Sequence, residues 1–361
     1  ILSSILTKSL GIDRLQALPE ELRSGLPLSL TPLTAARPSG LEPATLEDPK
    51  RGVWPRTARE LGAAIAGGLS PEELAARSLG FARRLRDNRV LNVLVSEDPE
   101  RTSREARESA ARHAAGRARG PLDGIPYLVK DEVDVAGLAT RCGTICDPDT
   151  PKPQDATIVR RLAEAGAVFV GKTVMTEWGM SPLGQNAHYP MPHNAHHAER
   201  VPGGSSSGSG VGVALGVCPV AIGSDGGGSI RIPAALNGIF GLKPTFGRVS
   251  RFGDPSTSRG VHVGPLGVGP RDIALFLDAV ASQPDPSDPA TLTATPPPSG
   301  GFGGLLGAGV RKLRVGVIDS EWAEASPAVA KAGREAMAAL EREGAELVPL
   351  RSRLLGVAAP I

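Results

Sequence analysis

Short apolar runs alternate with charged, amphipathic stretches over most of the 361 residues, and this alternation narrows the fold more than any other feature. Strands interleaved with helices bury their apolar faces best as a sheet covered by helices, so the pattern predicts an α/β fold. Ser70-Pro71-Glu72-Glu73 predicts a helix start, with Ser70 as cap, Pro71 in the first turn and Glu73 closing a capping box. Leu74, Phe81 and Leu85 then share one face. Further helices are expected over 99–116, 155–165, 206–215, 229–236 and 326–343. Strands are expected over 89–95, 125–129, 167–170, 219–222, 313–318 and 346–350. Residues 282–308 are rich in Pro, Gly and Ser, with Pro296–Pro298 at the centre, and read as an exposed loop. Residues 1–55 show no sustained period and read as an N-terminal extension, partly helical or disordered, with one short helix near 19–23. The ordered domain is expected over 56–361.

Composition excludes several classes. Lys+Arg 40 against Asp+Glu 38 leaves +2, which gives no footprint for direct nucleic-acid binding. The uncharged run 201–224 is convincingly apolar only over 211–223, too short for the ~20 residues of a transmembrane segment. Three cysteines, Cys142, Cys146 and Cys218, cannot make a disulfide framework and read as small buried thiols in a reducing, cytoplasmic setting. His193, His196 and His197 cluster, and Cys142 and Cys146 are four apart, but nothing completes a four-ligand zinc set; no metal and no cofactor is expected. Gly166–Thr173 matches the phosphate-loop pattern letter for letter. Its Gly166 follows a helix, however, and Ala167–Val170 is a strand by composition, so the N–H groups there belong to a sheet.

The chemistry concentrates in three segments. Gly203-Gly-Ser-Ser-Ser-Gly-Ser209 precedes an apolar helix, and Gly223-Ser-Asp-Gly-Gly-Gly-Ser-Ile-Arg-Ile-Pro233 follows it. A glycine-rich loop opening a helix offers N–H groups to a developing oxyanion, and Ser229 at its end could attack a carbonyl. None of the six histidines lies in a comparable motif. Lys130, at the end of an apolar strand, is the alternative base, since desolvation disfavours its charged form. Asp225 and Arg231 flank the loop and could pair to hold it. Taken singly, each segment is more often a linker, a tight turn or a surface lysine.

Together the three segments resemble the amidase signature family. Pro121-Leu-Asp-Gly-Ile-Pro-Tyr-Leu-Val-Lys-Asp131 is similar to its lysine motif, 203–209 and 223–233 to its serine motifs in the right order, and 168–179 to the segment between. The resemblance covers about 56–280. It implies a central mixed β-sheet with helices on both faces, and a Ser-Ser-Lys triad that hydrolyses an amide through a seryl acyl-enzyme. Ser229 would be the nucleophile, Ser205 the proton-relaying serine joined to Gly204 by a cis peptide, and Lys130 the base. The N–H groups of Gly226, Gly227, Gly228 and Ser229 would form the oxyanion hole, with Gly204, Ser206, Asp225 and Arg231 in support.

Within the family, the two serine loops and the stretch from Gly184-Gln-Asn-Ala-His-Tyr189 to Arg200 look most similar to plant-type fatty acid amide hydrolases, implying a small-molecule amide with a long acyl chain. The amidase component of a glutamine-dependent tRNA amidotransferase is the alternative, although neither the extension nor the near-neutral charge favours it; an inactive fragment is a third. A homodimer stays open. Two departures stand out. Gly264–Asp272 lacks the Arg-Ser/Thr that commonly follows Gly-Pro-x-Ala, and the family's C-terminal portion is expected to be missing after Ile361, leaving the strands at 313–318 and 346–350 in need of neighbours.

Overall fold

The computed structural model describes residues 57–350, apart from 88–90, 147–148, 257–259, 319–321 and 323–324. The extension and its expected helix near 19–23 lie outside these residues. Contacts divide the chain into two compact units, with the boundary between Leu306 and Gly307.

The larger unit is built on a six-stranded sheet. In chain order its strands are β1 (Leu94–Ser96), β2 (Pro126–Lys130), β3 (Val168–Thr173), β4 (Val220–Asp225), β5 (Phe240–Gly241) and β6 (His262–Gly267), arranged β1-β3-β2-β4-β6-β5. β2 runs parallel to both β3 and β4, while β1, β6 and β5 are antiparallel to their neighbours, so the sheet is mixed. Its helices are α1 (Ala58–Ala66), α2 (Pro71–Asp87), α3 (Pro99–Ala114), α4 (Thr157–Glu164), α5 (Ser207–Ala214), α6 (Arg231–Leu236) and α7 (Pro270–Val280).

The period of two along each strand decides which helix packs where. Tyr127, Val129, Phe169, Val220 and Ile222 point to one face, against Leu61 of α1, Ile158 and Leu162 of α4, and Phe276 and Val280 of α7. Leu128, Val170 and Ala221 point to the other, against Leu79 and Leu85 of α2 and Val211 and Val213 of α5. Both faces being covered explains why these strands read as continuous apolar runs. Each buried Val, Leu, Ile or Phe among these contributes about 1.5–3 kcal/mol of transfer free energy.

The boundaries differ from the sequence reading where local hydrogen bonds intervene. Ser70 Oγ accepts from Glu72 N–H at 3.1 Å, but Glu73 pairs with Arg77. The strand expected over 89–95 shrinks to Leu94–Ser96, an edge strand bonded only to β3. The helix expected from Ser229 begins at Arg231, because the Asp225 carboxylate takes the N–H groups of Gly228 and Ile230. β6 goes unrecognised in the sequence because Gly264-Pro265 breaks its strand signal. Gly166–Thr173 is a helix stop at φ +86° followed by β3.

In the smaller unit, β7 (Arg314–Val317) and β8 (Glu346–Pro349) pair in parallel, linked through α8 (Pro327–Arg342). The two strands expected to lack neighbours thus bond to each other, the connection length a parallel pair requires being supplied by the helix.

Candidate active site

β2 and β4 are parallel neighbours, so their carboxyl ends open on the same edge of the sheet, where open α/β sheets bind ligands. β2 delivers Lys130 there, and β4 delivers Ser224 and Asp225. The segment before α5 brings Gly203–Ser206 alongside. Close packing dictates its glycines: a Cβ on Gly204 would stand 2.6 Å from Ser181 O and 3.0 Å from Gly184 N. The peptide bond between Gly204 and Ser205 is cis.

Lys130 is wholly buried, and its Nζ has three oxygen neighbours. It donates to Ser205 Oγ at 2.7 Å and to Ser224 Oγ at 2.7 Å, and it pairs with Glu132 Oε2 at 2.6 Å. Ser224 in turn donates its hydroxyl proton to Glu132 Oε2. Burial alone would raise the Glu132 carboxyl, but the charge and hydrogen bond of Lys130, with the Ser224 hydroxyl, hold it below the ordinary glutamate value.

The loop 226–229 is shaped by Asp225. Its buried carboxylate accepts from Gly228 N–H at 2.7 Å and from Arg231 Nε and Nη2 at 2.9 Å each. These bonds outweigh burial and lower the Asp225 carboxyl. Gly228 sits at φ +137°, where a Cβ would also meet Ile232 Cδ1 at 2.6 Å. Gly226 and Gly227 are exposed and Ser229 is half-buried. Ser206 N–H donates to Ser229 O at 3.2 Å, and Ser206 Oγ to Ser224 O at 3.3 Å, so the two serine loops are tied through backbone.

The structure therefore brings Lys130 and Ser205 into direct contact and places the loop of Ser229 beside them. Among the described residues no hydrogen bond joins Ser229 Oγ to Ser205. One expectation changes: the Gly228 N–H, assigned to the oxyanion hole from the sequence, is already taken by Asp225. The sequence reading misses Glu132 and Ser224. Neither carries a local signal: the chain turns after β2, with Val133 N–H donating to Lys130 O at 3.0 Å, which brings Glu132 back to Lys130, and Ser224 comes from the neighbouring strand. The turn Glu177–Gly179 passes close by, and a Cβ on Gly179 would lie 3.3 Å from Ser205 Oγ. Its Trp178 is 51% exposed, and Met180, which follows the turn, is 70% exposed.

Other candidates go elsewhere. Lys172 is buried in a pair with Asp131 at 2.8 Å and donates to Ala139 O and Thr140 Oγ1, each at 2.8 Å, on the face opposite Lys130. Cys142 and Cys218 are buried, but Cys146 is exposed, contrary to expectation, because it lies in a surface bend rather than on an element. Among the described residues no group of three His, Cys, Asp or Glu side chains could hold a metal ion, and no helix is long and apolar enough to cross a membrane.

Asp254 also faces this cluster. Burial first, and the Glu132 charge second, raise its carboxyl to about 6. A carboxyl raised above its unfolded value contributes stability that is complete below about pH 4 and lost as pH rises through about 6. Asp254→Asn should therefore gain melting temperature relative to the unaltered chain as pH rises from 4 to 7. Thermal scans across that range check this; a constant difference would contradict it.

A family model described as Amidase matches residues 80–360. The chain is 39% identical over 308 residues to a glutamyl-tRNA(Gln) amidotransferase subunit of Halorhodospira halophila, covering 84% of this chain and 62% of that protein. It is 40% identical over 294 residues to the corresponding protein of an Anaeromyxobacter species, covering 80% and 58%. The chain thus spans about three fifths of the length of these relatives. Among solved structures, peptide amidase bound to the inhibitor chymostatin superposes with a TM-score of 0.78 at 35% identity, over 84% of this chain and 63% of that one. A bacterial aryl acylamidase of the amidase signature enzymes superposes at 0.70 and 26% identity, over 81% and 60%. The expected likeness to plant-type fatty acid amide hydrolases is not supported by these relatives, which are amidotransferase subunits, a peptide amidase and an aryl acylamidase.

Proposed function

The chain belongs to the amidase signature family, and on that premise we propose that it cleaves a carboxamide through an acyl-enzyme on Ser229. The observation that carries this reading is the buried 2.7 Å contact between Lys130 Nζ and Ser205 Oγ beside the loop of Ser229. Lys130, as the free amine, takes the proton of Ser205 while Ser205 takes that of Ser229. The Ser229 oxygen bonds to the amide carbon. The oxyanion gains its charge near the N–H groups of Gly226, Gly227 and Ser229, three donors rather than four because Asp225 holds the Gly228 N–H. Pre-oriented donors need no reorganisation as charge develops. The proton returns through Ser205 to the amide nitrogen, which then leaves as ammonia or amine. Water attacks the ester by the same relay and frees the acid. Asp225 and Arg231 hold the loop in shape throughout.

Two substrates compete. The 39–40% identity to amidotransferase subunits favours glutamine, with the ammonia passed to a partner-bound tRNA. The peptide amidase likeness favours a peptide carboxamide that needs no partner. Glutamine is the better supported, because the identity to the amidotransferase subunits is higher and extends over as much of the chain. Fatty acid amides have only the local sequence match around 184–209. The test is release of ammonia from glutamine, a peptide carboxamide and a long-chain primary acyl amide, with and without the other amidotransferase subunits. Glutamine cleavage that rises about tenfold or more with those subunits supports the first substrate. Cleavage of the peptide carboxamide alone moves the chain to the second, and a preference for the long-chain amide overturns both.

A further inference from the structure

We propose that Glu132 is a positioning residue for Lys130, one that fixes the direction in which the proton relay runs. The proposal deepens the amide-cleavage reading and rests on it.

The protons around Nζ can be counted. Nζ has three neighbours, Ser205 Oγ, Ser224 Oγ and Glu132 Oε2. A free amine has two N–H groups and one lone pair, so one neighbour must donate to it and two must accept. Glu132 as a carboxylate can only accept. Ser224 directs its hydroxyl hydrogen at Glu132, so towards Nζ its oxygen can only accept as well. Ser205, which accepts from the protonated ammonium, is then the one neighbour able to donate to the free amine. The triangle of Lys130, Ser224 and Glu132 turns the lone pair towards Ser205.

Geometry makes the triangle stiff. Lys130 and Ser224 are 0% and 2% exposed, and Glu132 is 7% exposed, so water does not compete freely for their protons. Lys130 and Ser224 stand on adjacent paired strands, and Glu132 leaves the end of β2 two residues on. Among the described residues, Asp254 and Cys142, from the flanking loops, also interact with Glu132, and the Asp131–Lys172 pair neighbours Cys142. Glu132 exchanges no proton in the net reaction. Every proton taken from Ser229 returns through Ser205 to the leaving nitrogen.

The test is the rate at which an alkyl fluorophosphonate labels Ser229, measured from pH 5 to 10 in the unaltered chain, Glu132→Gln and Glu132→Asp, with melting temperatures for each. Glutamine keeps the size but can donate as well as accept, and it removes the anion beside Nζ. Glu132→Gln should lower the plateau rate by about tenfold or more and move the rising limb to lower pH by about one unit or more. Glu132→Asp, which keeps the charge, should leave the limb in place and recover the plateau to within about fivefold. A limb that keeps its position in Glu132→Gln, at any height, overturns the proposal, because a residue that only packs would scale the curve without moving it. Should Glu132→Gln not fold, Ser224→Ala breaks the same triangle. A tenfold fall in plateau there, at about unchanged melting temperature, supports the proposal, and an unchanged plateau overturns it. Absence of label on Ser229 in the unaltered chain would overturn the amide-cleavage reading itself, and this proposal with it.

Discussion

Ser229→Ala is expected to lower amide cleavage by on the order of 10⁴-fold or more, leaving only what binding and oxyanion stabilisation provide without a nucleophile. The fold should hardly notice. Ser229 is half-buried, and its carbonyl accepts from Ser206 N–H at 3.2 Å, a contact that does not involve the hydroxyl. Removal of that hydroxyl therefore leaves the loop held by Asp225, whose five hydrogen bonds reach Gly228, Ile230 and Arg231. The measurement is kcat/KM on an amide substrate together with the melting temperature. Activity within about tenfold of the unaltered chain would mean another group attacks the carbonyl.

The second large effect is expected at Lys130, where loss of the base should cost about 10²–10⁴-fold in kcat. Here the substitution must be chosen with stability in mind. Lys130→Ala strands the buried Glu132 without its partner, and breaking one side of a buried pair costs about 3–5 kcal/mol. Lys130→Arg is the cleaner variant, since it keeps a cation beside Glu132 while a guanidinium does not give up its proton. The expected result is a folded protein with kcat down by about 10²-fold or more and KM within about threefold. A Lys130→Arg variant that keeps its turnover would remove Lys130 from the relay.

How much of this was legible in the sequence depends on how local each feature is. β2, β4 and α5 could be read, because apolar runs and a glycine-serine boundary are written in consecutive residues. The same holds for the contrast between Gly166, a helix stop, and the strand that follows it. What depends on register between distant segments could not be read. Ser224 meets Lys130 because β2 and β4, 94 residues apart at these positions, are neighbours in the sheet and end together. The Gly228 N–H looks available until the Asp225 carboxylate, three residues earlier, turns back onto it. β6 is hidden by Gly264-Pro265, which break the strand signal although Pro265 still pairs with Ile222. Substrate choice is the least legible. The catalytic loops are shared among amide-cleaving relatives of different specificity, so a local match at 184–209 carries less weight than identity across about 300 residues.

Fluorophosphonate labelling followed by peptide mapping tests the central claim most directly, because it reads the nucleophile without requiring the substrate to be known. One covalent adduct on the peptide carrying Ser229 is expected, lost in Ser229→Ala and formed about 10²-fold or more slowly in Lys130→Arg. An adduct on another serine, or an equal rate of labelling in Lys130→Arg, would contradict it.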